Sequence, residues 1–106
     1  MTYLENLLEQ SGYQMKTTFW QDFSIAEKFG LEAIRDTFQR AFNEWKTNVE
    51  YLTELILVLN WKIWYWYEVQ NFEVSKLYNE LWENADSYAM DNLKDEDLRY
   101  FLHTVD

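Results

Sequence analysis

Residues 49–68 read VEYLTELILVLNWKIWYWYE, a stretch with neither proline nor glycine and with few polar residues in its second half. Around a helix, the apolar side chains of that second half point in every direction. A helix that is apolar all round is normally buried among other elements. We therefore expect a helix over residues 49–68 to be the central, aromatic-rich element of the fold.

The composition of the whole chain indicates an all-α protein. It has no proline and only two glycines among 106 residues, which disfavours turn-dense β folds and glycine-rich phosphate-binding loops. The length is that of one ordinary domain, and a hydrophobic fraction of 48% argues against intrinsic disorder. We predict a single helical domain over residues 1–106, built as a compact bundle of five or six helices.

Helix-start patterns place the N-terminal helices. Thr2 opens a capping box for a short first helix that stops at Gly12. Residues 13–23 lack a clear period and predict an aromatic connector, with room for a short extended piece. A second capping box begins at Ser24 and opens an amphipathic helix. Gly30 either kinks that helix or separates its first turn.

Apolar residues between Phe38 and Trp66 follow alternating steps of four and three, a heptad-like seam. This seam allows one long helix over residues 31–66. Weak helix formers and a further capping box, which begins at Thr47, favour a break over residues 46–48 instead.

The C-terminal third predicts two more helices. A polar gap at Gln70 and Asn71 precedes an amphipathic helix that runs to about Asn92. Asp95 is placed to cap a last short helix.

Charge is the strongest functional signal in the sequence. Nine basic and 19 acidic residues give a formal charge of −10, which disfavours direct contact with nucleic-acid phosphates and anionic lipids. The acidity is concentrated in residues 68–106, which hold ten acids and three bases. We predict that this region binds a basic protein partner through a row of acids that lie away from the apolar stripe: Glu73, Glu80, Glu83, Asp86, Asp91, Asp95, Glu96 and Asp97.

Such a row imitates a nucleic-acid backbone only in part. Duplex DNA has one charge per roughly 1.7 Å of axis, whereas the net charge of residues 68–97, taken as helical, amounts to one per roughly 6 Å. A solvated acidic face without a partner is the alternative interpretation.

The aromatic block over residues 61–67 supplies two further candidates for protein binding, Trp61 and Trp64, because Trp dominates interface hot spots. The alternative is that the block is simply buried. A stacking platform for single-stranded nucleic acid would need flanking cations, and Lys62 is the only one nearby.

The sequence lacks the residue patterns that thiol chemistry, calcium-binding loops and membrane spans require. With no cysteine, disulfides, thiolate metal sites and cysteine nucleophiles are excluded. His103 is the single imidazole, and the acids near Asp91 lack the EF-hand order. The longest apolar stretch is shorter than the roughly 20 residues that span a bilayer, and no signal peptide is visible. We expect a cytoplasmic, non-enzymatic protein with no cofactor, no metal and no membrane association.

Residues 24–42, SIAEKFGLEAIRDTFQRAF, suggest a DNA-binding helix-turn-helix at first sight. The apolar phase through Ile34 and Phe38 instead favours a continuing amphipathic helix, and residues 25–46 hold four acids and four bases rather than a basic stripe.

Five stretches carry a resemblance to a known group: TTFWQDFSIAEKFG (17–30), AFNEWKTNVEYLTEL (41–55), VLNWKIW (58–64), KLYNELWENAD (76–86) and LRYF (98–101). Together they resemble small uncharacterised acidic proteins encoded on phages and conjugative elements of gut bacteria. The resemblance implies a context rather than site residues: such proteins often bind host proteins, including restriction and CRISPR nucleases with basic grooves.

Three functions therefore follow from the sequence. The leading hypothesis is a mobile-element inhibitor of a host nucleic-acid-handling protein, of the anti-CRISPR or anti-restriction type. The second is a structural homo-oligomer, such as a homodimer, that pairs through the seam or the aromatic block. The third is a helix-turn-helix DNA binder.

Overall fold

The computed structural model describes residues 15–93, and that part of the chain folds as four α-helices without a strand. The helices are α1 (Phe19–Glu27), α2 (Leu31–Trp45), α3 (Val49–Glu68) and α4 (Phe72–Asn92). Helix α3 packs against each of the other three, most extensively against α4. The all-α class is confirmed. The expected number of five or six helices is not matched, and the helices predicted to begin at Thr2 and Asp95 lie outside the described residues.

Asparagine caps set the starts of α3 and α4. The Asn48 side chain accepts a hydrogen bond from the Tyr51 N–H at 3.1 Å, and the Asn71 side chain accepts one from the Val74 N–H at 3.3 Å. Each cap satisfies a backbone donor that has no partner inside its helix. The predicted break over residues 46–48 is confirmed, as are the bounds of α3 and the end of α4, but the residue that caps α3 is Asn48 and not Thr47, where the predicted capping box begins. A single helix over residues 31–66 does not form.

Two predictions for the N-terminal part are wrong. The connector expected over residues 13–23 gives way to helix at Phe19, because Phe19 and Phe23 lie four positions apart on the buried face of α1. Ser24 does not cap a helix: it lies inside α1, and its hydroxyl donates to the Trp20 carbonyl at 2.8 Å. Gly30 separates α1 from α2 with a φ of 112°, so the amphipathic helix expected to continue from Ser24 is interrupted.

The core is formed where α3 crosses the bundle. Every side chain from Leu52 to Leu59 is buried. The all-round burial expected of the second half of this helix does not extend through its aromatic block, where Trp64 and Tyr67 are exposed. Phe38, Leu52 and Leu59, which belong to the heptad-like seam, are buried in the chain's own core. The seam therefore serves packing within one chain. None of the helices within residues 15–93 combines the length and apolar character needed to cross a bilayer.

Candidate protein-binding surface

A buried ion pair joins α1 to α3. The Lys62 ammonium lies 3.1 Å from Glu27 Oε2, and the two side chains are 2% and 11% exposed. Lys62 also donates to the Ser24 hydroxyl at 2.8 Å and lies 4.0 Å from the centre of the Trp20 ring. The charge is therefore met by a carboxylate, a hydroxyl oxygen and an aromatic face.

Two more donors complete the surroundings of Glu27. The Trp66 indole N–H donates to Glu27 Oε2 at 2.9 Å, and the Tyr78 hydroxyl donates to the same oxygen. Burial, together with the charge of Glu27 and this hydrogen bond, raises the pKa of Tyr78 above its ordinary range. Tyr78 is consequently a protonated donor at neutral pH. The Glu27 carboxylate thus ties α1 to α3 through Lys62 and Trp66, and to α4 through Tyr78.

This polar cluster, together with the apolar core, constrains the rotation of α3 about its own axis. Lys62 and Trp66 are four positions apart, so they share the face that meets α1. At 100° per residue, Trp64 and Tyr67 project from the other side of the helix. Each of these two side chains is 55% exposed. The rotation that places Lys62 and Trp66 against α1 therefore leaves two large aromatic side chains in solvent.

These two rings are part of an exposed apolar patch at the turn between α3 and α4. We call it the aromatic tip and define it as Trp64, Tyr67, Val69 and Phe72, all of them more than half exposed. Ring centres are 6.0 Å apart for Trp64 and Tyr67 and 5.4 Å apart for Tyr67 and Phe72, in edge-to-face arrangements. The rings thus form one contiguous surface across the turn. Exposed contiguous apolar patches mark interaction sites.

The structure separates the two aromatic residues that the sequence singled out. Trp64 lies in the aromatic tip, whereas Trp61 is half-buried against the core. Sequence reasoning missed Tyr67 and Phe72. The signal for Phe72 was available, because it follows the polar gap and lies off the apolar stripe that begins at Val74.

Part of the predicted acidic row lies exposed on α4. The acidic face consists of four exposed carboxylates, Glu73, Glu80, Glu83 and Asp91. Asn79 donates its side-chain N–H to Glu83 at 3.1 Å. Asp86 is half-buried, and burial raises its pKa above the ordinary value, so it belongs only in part to this face. Asp95, Glu96 and Asp97 lie outside the described residues.

The charge density of this face is well below that of a nucleic acid. Residues 73–91 span about 27 Å at 1.5 Å per residue. Five acids and Lys76 in this span leave a net charge of −4, or one charge per roughly 7 Å against roughly 1.7 Å in duplex DNA. The face can therefore meet a few basic side chains but not the whole of a duplex-binding groove.

The segment that suggested a helix-turn-helix does contain two helices, α1 and α2, joined by a short turn over residues 28–30. The amphipathic helix favoured by the apolar phase does not continue through this turn, and of the two outcomes expected at Gly30, a kink or a separation, the structure shows the separation. The exposed side of α2 nevertheless carries both signs, with Glu32, Asp36 and Glu44 beside Arg35 and Arg40. It lacks the basic stripe by which a recognition helix approaches phosphates.

Within residues 15–93, no group of three or more His, Asp or Glu side chains is arranged to hold a metal ion. No protein-family model, no curated protein and no solved structure matches the chain.

Proposed function

We propose that this chain is a non-enzymatic protein-binding module that docks through the aromatic tip and the acidic face. The observation that supports the proposal is their continuity: Phe72 of the tip and Glu73 of the acidic face are adjacent at the start of α4, and both are exposed. Aromatic anchors supply contact area that excludes water, and the neighbouring carboxylates select a basic partner. In this arrangement α3 is the central, aromatic-rich element, and its C-terminal half presents the anchors.

The partner we propose is a basic, nucleic-acid-handling host protein. The net charge of −10 speeds encounter with a basic groove through long-range attraction. Bound there, the chain blocks the groove sterically, while its spaced carboxylates replace only some of the phosphates. This is inhibition of the anti-restriction or anti-CRISPR type, and it fits a cytoplasmic protein of a mobile element.

The first test is capture of the partner by the tagged full-length chain. The bait is incubated with nuclease-treated bacterial lysate, and bound proteins are eluted by a salt step and identified by mass spectrometry. We expect a nucleic-acid-binding protein in the salt eluate, displaced from the bait by added duplex DNA. Recovery of proteins that duplex DNA does not displace would contradict the proposed mode of inhibition.

The second test separates the acidic face from net charge alone. Glu80→Lys with Glu83→Lys reverses two exposed acids of the face. Glu32→Lys with Glu50→Lys makes the same change in net charge elsewhere. Glu50 pairs with Lys16 at 3.6 Å, but both side chains are about half exposed, so its loss costs little stability. We expect the association rate with the captured partner to fall at least about tenfold in the first variant and less than about threefold in the second. Equal losses of association rate in the two variants would show that only the net charge matters, which would contradict docking through the acidic face.

A second copy of the chain is the competing occupant of the aromatic tip. It is favoured by the three contiguous exposed rings but opposed by the repulsion of two chains of −10 each. Light scattering at micromolar concentration decides between the two. A dimer that persists in high salt and dissociates on Trp64→Ser would replace the proposed function with homo-oligomerisation.

A further inference from the structure

A separate concave surface lies between α1 and α2. This groove has a volume of about 800 Å³, and none of its lining residues belongs to α4. Its lining follows α2 from Ala33 to Glu44, faces α1 from Phe19 to Ala26, and reaches Tyr51 at the start of α3. We call it the α1–α2 groove. It shares no residue with the aromatic tip or the acidic face.

Apolar side chains form the walls of the α1–α2 groove. Phe29 and Ile25 are 78% and 57% exposed, and Phe29 is the most exposed large hydrophobic residue within residues 15–93. The rings of Trp45 and Tyr51, 4.4 Å apart, close one end. Small side chains of α2, such as Ala33 and Ala41, line the groove between these walls. Such exposed apolar walls are costly in water and are typical of recognition grooves.

Charged side chains line the same groove. Asp22 comes from α1, and Asp36, Arg40 and Glu44 come from successive turns of one side of α2. Three carboxylates against one guanidinium leave this lining with a net charge of −2. The groove is therefore apolar in its walls and acidic on balance.

We propose that the α1–α2 groove binds an amphipathic helix of a partner protein, with Lys or Arg flanking the apolar face of that helix. Helix-in-groove recognition uses apolar anchors at positions i, i+4 and i+7, which span about 10 Å. The lining along α2 from Ala33 to Glu44 extends over about 16 Å at 1.5 Å per residue, so it accommodates three anchors. Basic flanks complement the three carboxylates, and the Arg40 guanidinium can donate hydrogen bonds to an acidic side chain of the same helix.

Charge argues against the occupants that this protein itself could supply. Residues 1–14 contain two acids and no base, and residues 94–106 contain four acids and two bases. A second copy carries −10. Each of these would bring acids to an acidic lining. A small molecule would be poorly enclosed, because a wall formed by Phe29 is mostly open to solvent.

The experiment is a titration of the isotope-labelled full-length chain with a short synthetic peptide of Leu and Lys at helical spacing, followed by amide NMR shifts. The matched control peptide carries Glu in place of Lys. We expect the Leu/Lys peptide to shift residues of the α1–α2 groove, above all those near Phe29 and Ala33, and the Leu/Glu peptide to have no effect. Shifts confined to α4, or no binding, would overturn the proposal.

Two variants localise the binding. Thr37→Trp fills the groove, and Asp36→Lys with Glu44→Lys reverses its charge without filling it. Each should weaken peptide binding at least about tenfold, whereas Glu32→Lys with Glu50→Lys should change it less than about threefold. If Thr37→Trp fails to fold, the variant Asp36→Lys with Glu44→Lys still tests whether the peptide binds in the groove. Glu80→Lys with Glu83→Lys should leave peptide binding within the same threefold limit, so failure of the groove and failure of the acidic face are distinguishable.

The absence of cysteine provides a direct test of the chain's own N-terminal segment as the occupant. Glu5→Cys offers a single thiol for a nitroxide spin label. We expect no paramagnetic broadening of groove residues in the free protein. Strong broadening around Phe29 would show that the protein fills its own groove and would reject the partner helix.

Discussion

Removing the Lys62 ammonium tests how the bundle tolerates a buried charge. In Lys62→Met the side chain keeps its length, so little cavity forms, but Glu27, which is 11% exposed, loses its cation. Removing one member of a buried ion pair costs about 3–5 kcal/mol, because the other charge stays buried without compensation. Trp66 and Tyr78 still donate to the carboxylate. We therefore expect the lower end of that range, about 3 kcal/mol of the free energy of unfolding.

The double variant separates loss of the charge from loss of contacts. In Glu27→Gln the amide oxygen can still accept from Trp66 and Tyr78, but no unpaired carboxylate remains beside Met at position 62. Combined with Lys62→Met, it should recover about 1.5 kcal/mol of the loss caused by Lys62→Met alone, so the double variant loses less than the sum of the two single variants, as expected for residues in one polar network.

Urea unfolding at neutral pH, followed by far-ultraviolet circular dichroism, measures both quantities. A loss of about 3 kcal/mol corresponds to a drop in Tm of roughly 12–24 °C for a domain of this size. Lys76→Met is the control, since it removes an exposed lysine from α4, and it should stay within about 0.5 kcal/mol of the parent protein. A loss below about 1 kcal/mol for Lys62→Met, or strict additivity in the double variant, would refute the argument.

Three further predictions concern single positions. Gly30→Ala should lower the free energy of unfolding by about 1–3 kcal/mol, because a φ of 112° is open to glycine but strained for alanine. Nothing lies within 4 Å of the added Cβ, so a lower Tm in thermal unfolding reports backbone strain, and an unchanged Tm would contradict this prediction. Asn71→Ala should lower the free energy of unfolding by about 1 kcal/mol through loss of the helix cap, whereas Asn71→Asp keeps an acceptor oxygen and should retain most of the stability. Equal losses for the two variants in urea unfolding would exclude capping as the role of this side chain. Burial raises the folded-state pKa of Asp86 above the ordinary 3.8, so ionisation of Asp86 opposes folding. The protonated carboxyl therefore does not lower the stability of the fold below the unfolded-state pKa, and the cost of ionisation appears as pH rises through the folded-state pKa. Asp86→Asn should therefore raise Tm at neutral pH and give no such gain below pH 3.8; a gain that is independent of pH would contradict this cause.

The bounds of α3 and α4 could be predicted from the sequence because local signals agree there. Asn48 and Asn71 provide caps next to strong apolar patterns, so local preference and packing favour the same boundaries. Ser24 shows the opposite case. Its pattern is that of a helix start, but the serine hydroxyl is satisfied by a carbonyl of the preceding turn, and the burial of Phe19 and Phe23 extends helix ahead of it. Local patterns cannot report which of two partners a hydroxyl will find.

The candidate site was predictable to the extent that it depends on one helix. Glu73, Glu80 and Glu83 lie off the apolar stripe of α4, and this periodicity is visible in the sequence. The exposure of Tyr67 depends instead on how α3 is rotated, which is set by contacts between helices, among them one between Lys62 and a residue 35 positions earlier. A lone lysine in an apolar run does indicate that a buried partner exists. It does not indicate that Glu27 is that partner.

The polar cluster around Glu27 also bears on the order in which the bundle folds. The α3–α4 hairpin closes through a turn over residues 69–71, whereas Glu27 receives its hydrogen bonds from residues 39 and 51 positions further along the chain. Closing the longer loops costs more chain entropy, so we expect the contacts of Glu27 with α3 and α4 to form after the α3–α4 hairpin. Interactions made after the transition state affect the unfolding rate rather than the folding rate. If that order holds, variants that weaken the contacts of Glu27 should speed unfolding more than they slow folding, and so shorten the time for which the aromatic rings stay correctly presented.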